Sequence, residues 1–108
     1  MSQSLSGMGG LMQQAQEMQA KLAKIQEELA NKTVDAAAGG GMVRVTVNGQ
    51  FMLASIKVDR SVIDPDEVEM LEDLMRAAVN EGLRRAREMA SEEMTKLTGG
   101  VKIPGLIP

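Results

Sequence analysis

Apolar residues Leu11, Ala15, Met18, Leu22, Ile25 and Leu29 recur at alternating spacings of four and three, with polar helix formers between them. That seam predicts a helix from Leu11 to about Asn31, with a stripe narrower than that of a helix lying flat on a globular core. It suits either packing on its own subunit or a coiled-coil partner. Asn31 and Lys32 make a C-terminal stop. Thr33 to Ala38 reads as a short strand, although alanine is a poor strand former.

Beyond Gly39-Gly40-Gly41 the period changes to two, with Val43, Val45 and Val47 alternating with Arg44 and Thr46. Asn48-Gly49 separates this run from a second alternating run that ends at Asp59. Both residues tolerate φ > 0, so the pair predicts a two-residue type I′ hairpin turn. That register sets Val47 opposite Gln50, Val45 opposite Met52 and Val43 opposite Ala54. One face then carries Val43, Val45, Val47, Met52, Ala54, Ile56 and Val58. The other carries Met42, Arg44, Thr46, Phe51, Leu53, Ser55 and Lys57. The three glycines lack the spacing of a phosphate-binding loop, and a strand rather than a helix follows them, so they read as a turn.

Asp64-Pro65-Asp66-Glu67 predicts a helix start, with Asp64 as N-cap, Pro65 at the first helical position and Glu67 completing a capping box. Helical spacing of Val68, Leu71, Met75, Ala78 and Val79, then Leu83, Ala86, Ala90, Met94 and Leu97, carries one long helix toward Gly99-Gly100. Gly82 in its middle marks a close helix contact or a bend. The expected organisation is a flexible N-terminus over 1–10, a single α+β domain over 11–98 and a flexible tail over 99–108.

Lengths then matter. A helix from Asp66 to Leu97 is about 45–50 Å long, whereas a seven-residue strand covers about 23 Å. The sheet cannot cover either helix, so part of each seam must find another helix, within an arm or across a subunit boundary. The second sheet face also holds Met42, Phe51 and Leu53, candidates for a self-complementary homodimer interface.

Composition narrows the chemistry. There is no cysteine and no histidine, which removes disulfides, the usual general base and the commonest metal ligands. Phe51 is the single aromatic, too few for a base-stacking platform. The adjacent carboxylates Glu72/Asp73 and Glu92/Glu93 point in different directions on a helix rather than converging on a substrate. No catalytic residue, metal site, cofactor or small-molecule substrate is therefore expected. No stretch approaches ~18 apolar residues, so no membrane span is expected, and Met1 to Gly10 lacks the pattern of a secretory signal. A cytoplasmic protein is the expectation.

Several segments together are similar to a known family. Leu11-Met12-Gln13-Gln14-Ala15-Gln16-Glu17-Met18-Gln19 opens the first helix. Gly40-Gly41-Met42-Val43-Arg44-Val45-Thr46-Val47-Asn48-Gly49, Met70-Leu71-Glu72-Asp73-Leu74 and Ala77-Ala78-Val79-Asn80 follow, before a Gly-Gly…Pro-Gly tail. In this order they resemble the YbaB/EbfC family of bacterial nucleoid-associated proteins, over about Leu11 to Leu106. The resemblance implies a helix, a three-stranded antiparallel sheet and a long helix (α-β-β-β-α), paired as a homodimer with projecting helical arms. It also implies duplex DNA binding in the nucleoid, with effects on DNA conformation, compaction or gene expression. The alternative is a helical dimeric interaction or assembly protein without direct DNA binding, which the coiled-coil patterning and a formal charge of −3 would suit.

If DNA is the partner, charge decides where it lies. Between Arg60 and Asp73 one arginine faces six carboxylates, whereas from Arg76 to Lys96 five basic residues outnumber four carboxylates. Arg84, Arg85 and Arg87 form the one basic cluster; the alternative is that they pair with Glu81 and Glu88 on a solvated face. These three, with Arg76 and Lys96 on the same helix and Lys21 and Lys24 on the first, are the candidate DNA contacts. No aromatic or Asn/Gln cluster accompanies the arginines, so backbone contacts with little base readout are expected.

Overall fold

The computed structural model describes the backbone of residues 2–97 and the side chains of residues 8–97. Helix α1 spans Ser2–Asn31, strands β1, β2 and β3 span Thr33–Ala38, Val43–Asn48 and Leu53–Val58, and helix α2 spans Val68–Leu97. The three strands form one antiparallel sheet in the order β1-β2-β3. This is the α-β-β-β-α architecture, drawn out to 77 × 21 × 18 Å. Residues 99–108, expected to form a tail, lie outside the described residues.

α1 begins at Ser2 rather than Leu11, so the Ser/Gly-rich segment is helical. Once a helix is nucleated, each further residue adds a hydrogen bond, and this offsets the roughly 1 kcal/mol cost of a glycine such as Gly9 or Gly10. Residues 8–21 are exposed throughout, seam included; burial starts at Leu22 and Ile25 and is complete only at Leu29. α1 is thus an arm held at its C-terminal end.

The core forms where small residues of α2 meet the inner face of β1 and β2. Ala78, Gly82 and Ala86 recur every four residues and lie against Ala36, Val43, Val45 and Val47. A Cβ on Gly82 would stand 2.8 Å from Val47 Cγ2 and 3.0 Å from Val45 Cγ2. Of the two readings of this glycine, close contact is the one found. α2 lies mainly over β1 and β2, leaving β3 exposed except at Val58, which packs against the core. Val45 is 2% exposed, whereas Ile56, directly opposite on β3, is 37% exposed.

The hairpin differs from the expected one. Val43 pairs with Val58, Val45 with Ile56 and Thr46 with Ser55; Val47 then pairs with Leu53, which leaves Ala54 as a bulge. The connection is the three residues Gly49-Gln50-Phe51. Phe51 N donates to Asn48 O at 3.0 Å, and Phe51, not Asn48 or Gly49, takes the positive φ of 64°. This is a type I turn closed by a left-handed residue, the common three-residue alternative to type I′. Asn48 Oδ1 holds it by accepting from Gln50 N at 2.9 Å and Met52 N at 3.1 Å. The register moves by four residues in most of the ladder, an even number, so the valines still share a face with Ile56 and Val58.

Gly49 is needed for a different reason from the one expected. It is buried beneath the end of α1, its N–H donates to Leu29 O at 2.8 Å, and a Cβ there would stand 2.7 Å from that same oxygen. Phe51, by contrast, bears the backbone cost of about 1–2 kcal/mol for an L-residue in the left-handed region. Phe51→Gly is expected to stabilise the free chain by about 1 kcal/mol on that account, read as a higher urea midpoint. A lower midpoint would mean that the ring gains more from its contacts than the backbone loses.

The second helix also starts later than expected. Asp64 does not cap it: its carboxylate accepts from Asp66 N at 2.9 Å, and Glu67 N donates to Asp64 O at 3.0 Å, so Asp64 to Glu67 is a turn. α2 opens at Val68, and Leu71 N reaches Glu67 O at 3.3 Å. Asp64 satisfies the nearest free N–H, and the chain must still turn before it can climb back over the sheet.

Candidate nucleic-acid interface

The distal half of α2 projects basic side chains, but most are already engaged. Arg84 sits three residues from Glu81 and four from Glu88, on the helix face they share, and its guanidinium bonds both at 2.5 Å. Arg85 Nε meets the same Glu81 at 3.1 Å, and its Nη1 donates to Asp35 O on β1 at 2.6 Å. The hydrogen bonds from Arg84, then Arg85, hold the Glu81 carboxyl at about 2, and Glu81 in turn raises Arg84. The four side chains Glu81, Arg84, Arg85 and Glu88 are together neutral, so the expected cluster of three arginines is reduced to one unneutralised charge. Arg87 is exposed and makes no ion pair among the described residues.

The outlying candidates divide the same way. Arg76 pairs with Asp73 at 2.8 Å, both exposed. Lys96 pairs with Glu93 at 3.2 Å. Lys21 and Lys24, three apart on the exposed arm of α1, have no ion pair among the described residues.

Lys32, not foreseen as a functional residue, shapes this region by fixing the arm. Its Nζ lies 2.6 Å from Glu93 Oε1, tying the end of α1 to α2. Glu93 is 9% exposed, and hydrogen bonds from Lys32, then Lys96, hold its carboxyl below the usual range. The Glu93 bond raises Lys32. Sixty-one residues separate the pair, and no local spacing signals such a contact. Among the described residues no group of acids could hold a metal ion, and no helix is long and apolar enough to cross a membrane.

An elongated α-β-β-β-α chain with a few exposed, unneutralised cations on its helices can hold a polyanion there, and relatives narrow this further. Residues 4–101 match the YbaB/EbfC DNA-binding family. The chain belongs to that family. YbaB/EbfC membership carries DNA binding as the function. A nucleoid-associated protein of Syntrophobacter fumaroxidans is 60% identical over 95 residues, covering 88% of this chain and 86% of the relative. One of Moorella thermoacetica is 50% identical over 101 residues, covering 94% and 97%. The fold is shared with the uncharacterized protein HP0035 from Helicobacter pylori, with a TM-score of 0.72 and 24% identity over 85% of this chain and 94% of that one. In this YbaB/EbfC chain the interface has to be sought among the cations that carboxylates leave free.

Proposed function

We propose that the chain binds duplex DNA in the nucleoid as a homodimer, through phosphate contacts with little base readout. The observation that carries this reading is the division among the family member's cations. Arg87, Lys21 and Lys24 are exposed and unneutralised, whereas a phosphate approaching Arg84, Arg85, Arg76 or Lys96 meets a carboxylate already in place. Long cationic side chains on helices, with no aromatic among them, suit backbone contacts that position a protein on DNA without reading its sequence. The nucleoid association carried by the names of its relatives fits such binding.

The second copy docks along β3. On β1, Asp35 O is already taken by Arg85, whereas no side chain bonds the edge of β3 among the described residues and Ile56 beside it is partly exposed. Leu53 borders this edge, and Phe51 and Met42 lie exposed at its two ends. Face-to-face pairing of the outer sheet surface is opposed by its centre, where Arg44 and Lys57 would meet their own copies across the two-fold axis.

The DNA reading is tested by titrating a mixed-sequence duplex at several salt concentrations with the wild type and with Lys21→Gln/Lys24→Gln/Arg87→Gln. Three lost phosphate contacts flatten the dependence of log K on log salt by about 2.7 for each engaged protomer, and weaken binding on the order of several hundredfold at ~0.1 M salt. Unchanged affinity and slope would put the contacts elsewhere.

A further inference from the structure

The outer face of the sheet holds a second, separate group of cations. β2 and β3 set Arg44 directly opposite Lys57, and Thr46 opposite Ser55 in the neighbouring pair. Both cations are exposed. Like charges in opposed positions push a strand pair apart, and the usual remedy is a carboxylate between them. Here there is none. Arg44 Nε donates to Gly41 O at 3.2 Å, and neither cation forms an ion pair among the described residues. On β1, Ala37 stands opposite Arg44. Asp35, on the same face, accepts from Thr46 Oγ1 at 2.9 Å, one cross-strand pair away.

This differs from the distal half of α2, where Glu81 and Glu88 sit among the arginines and would have to be displaced. A polyanion laid on the sheet relieves a repulsion already present and displaces no carboxylate. We propose that the outer sheet face is a second duplex-DNA contact surface, with Arg44 and Lys57 taking backbone phosphates and the Ser55 hydroxyl donating to a phosphate oxygen beside them. A sheet face with short polar side chains beside its cations presents nothing that enters a groove, so the contact is to the backbone alone. Pairing of two copies along β3 would leave this face open and double its charge. The proposal rests on the family's DNA binding and adds to it a surface on the sheet, separate from the helical candidates.

The test uses the full chain carrying Arg44→Gln and Lys57→Gln, titrated against the same duplex over a range of salt. Loss of two phosphate contacts should flatten the log K against log salt slope by about 1.8 per engaged protomer and weaken binding on the order of fiftyfold at ~0.1 M. In the absence of DNA the variant should unfold at the same or a higher urea concentration than wild type, because the repulsion is gone. That result separates lost contact from lost fold. Wild-type affinity and slope in the variant overturn the sheet surface while leaving the family reading intact. A lowered midpoint in the free variant overturns it too, by showing that the pair stabilises the strands without a ligand. A wild type that binds no duplex fails both readings together.

Discussion

Gly82→Val is expected to lower the stability of the chain by about 3 kcal/mol, the upper range for overfilling a packed core. The position leaves no room: the nearest atoms to a new Cβ are methyls of Val47 and Val45, at 2.8 and 3.0 Å, and both valines are fully buried. Neither can turn away without meeting Ala36, Ala78 or Ala86, so α2 must lift off the sheet along its contact line. Gly82→Ala gives the sharper test of sign. On an exposed helix it would gain about 1 kcal/mol; here that gain is outweighed, and the thermal midpoint should fall. For valine the fall should exceed about 10 °C. A stable alanine variant would mean that the helix and sheet can separate slightly at little cost.

Ile56→Asp is expected to convert the proposed dimer to a folded monomer. Wild type should sediment at about twice the 11.6 kDa chain mass at micromolar concentration, and the variant near that single mass. Ile56 lies on the inner face of the open edge strand, beyond the reach of α2. A carboxylate there would be desolvated in the dimer and would face its own copy across the two-fold axis. In the monomer it remains in water, so the circular dichroism spectrum should be unchanged. A variant that still sediments as wild type would move the interface away from β3.

The architecture was legible because two periods of hydrophobicity are clean. The four-three seam from Leu11 to Leu29 and the alternation of Val43, Val45 and Val47 each admit one secondary structure, and the structure has both. Where the structure departs from the local pattern, some causes are contacts distant in sequence and others are the demands of the chain path. Asn48-Gly49 has the local chemistry of a type I′ turn, but α1 needs Gly49 for its approach, and Phe51 takes the left-handed position instead. Asp64 has the local chemistry of a cap, yet it closes a turn that redirects the chain. That Arg84 and Arg85 could pair with Glu81 and Glu88 was legible from their spacing of three and four on a helix; that Arg85 also reaches the edge of β1 was not. On the folded helix Glu81 lies between them, and Arg85 is drawn to the edge of β1. The Lys32–Glu93 tie has no local signature at all.

The bond from Arg85 to the edge of β1 also bears on how many copies the proposed pairing along β3 would join. A sheet with two free edges can add strands without limit and grow into a fibre. With Asp35 O on β1 already taken by Arg85, strand addition is favoured at β3, and the proposed two-fold contact there would use that edge up. Assembly by the proposed route would terminate at a pair, and any longer-range joining of chains by strand addition would then have to give way to joining through the DNA.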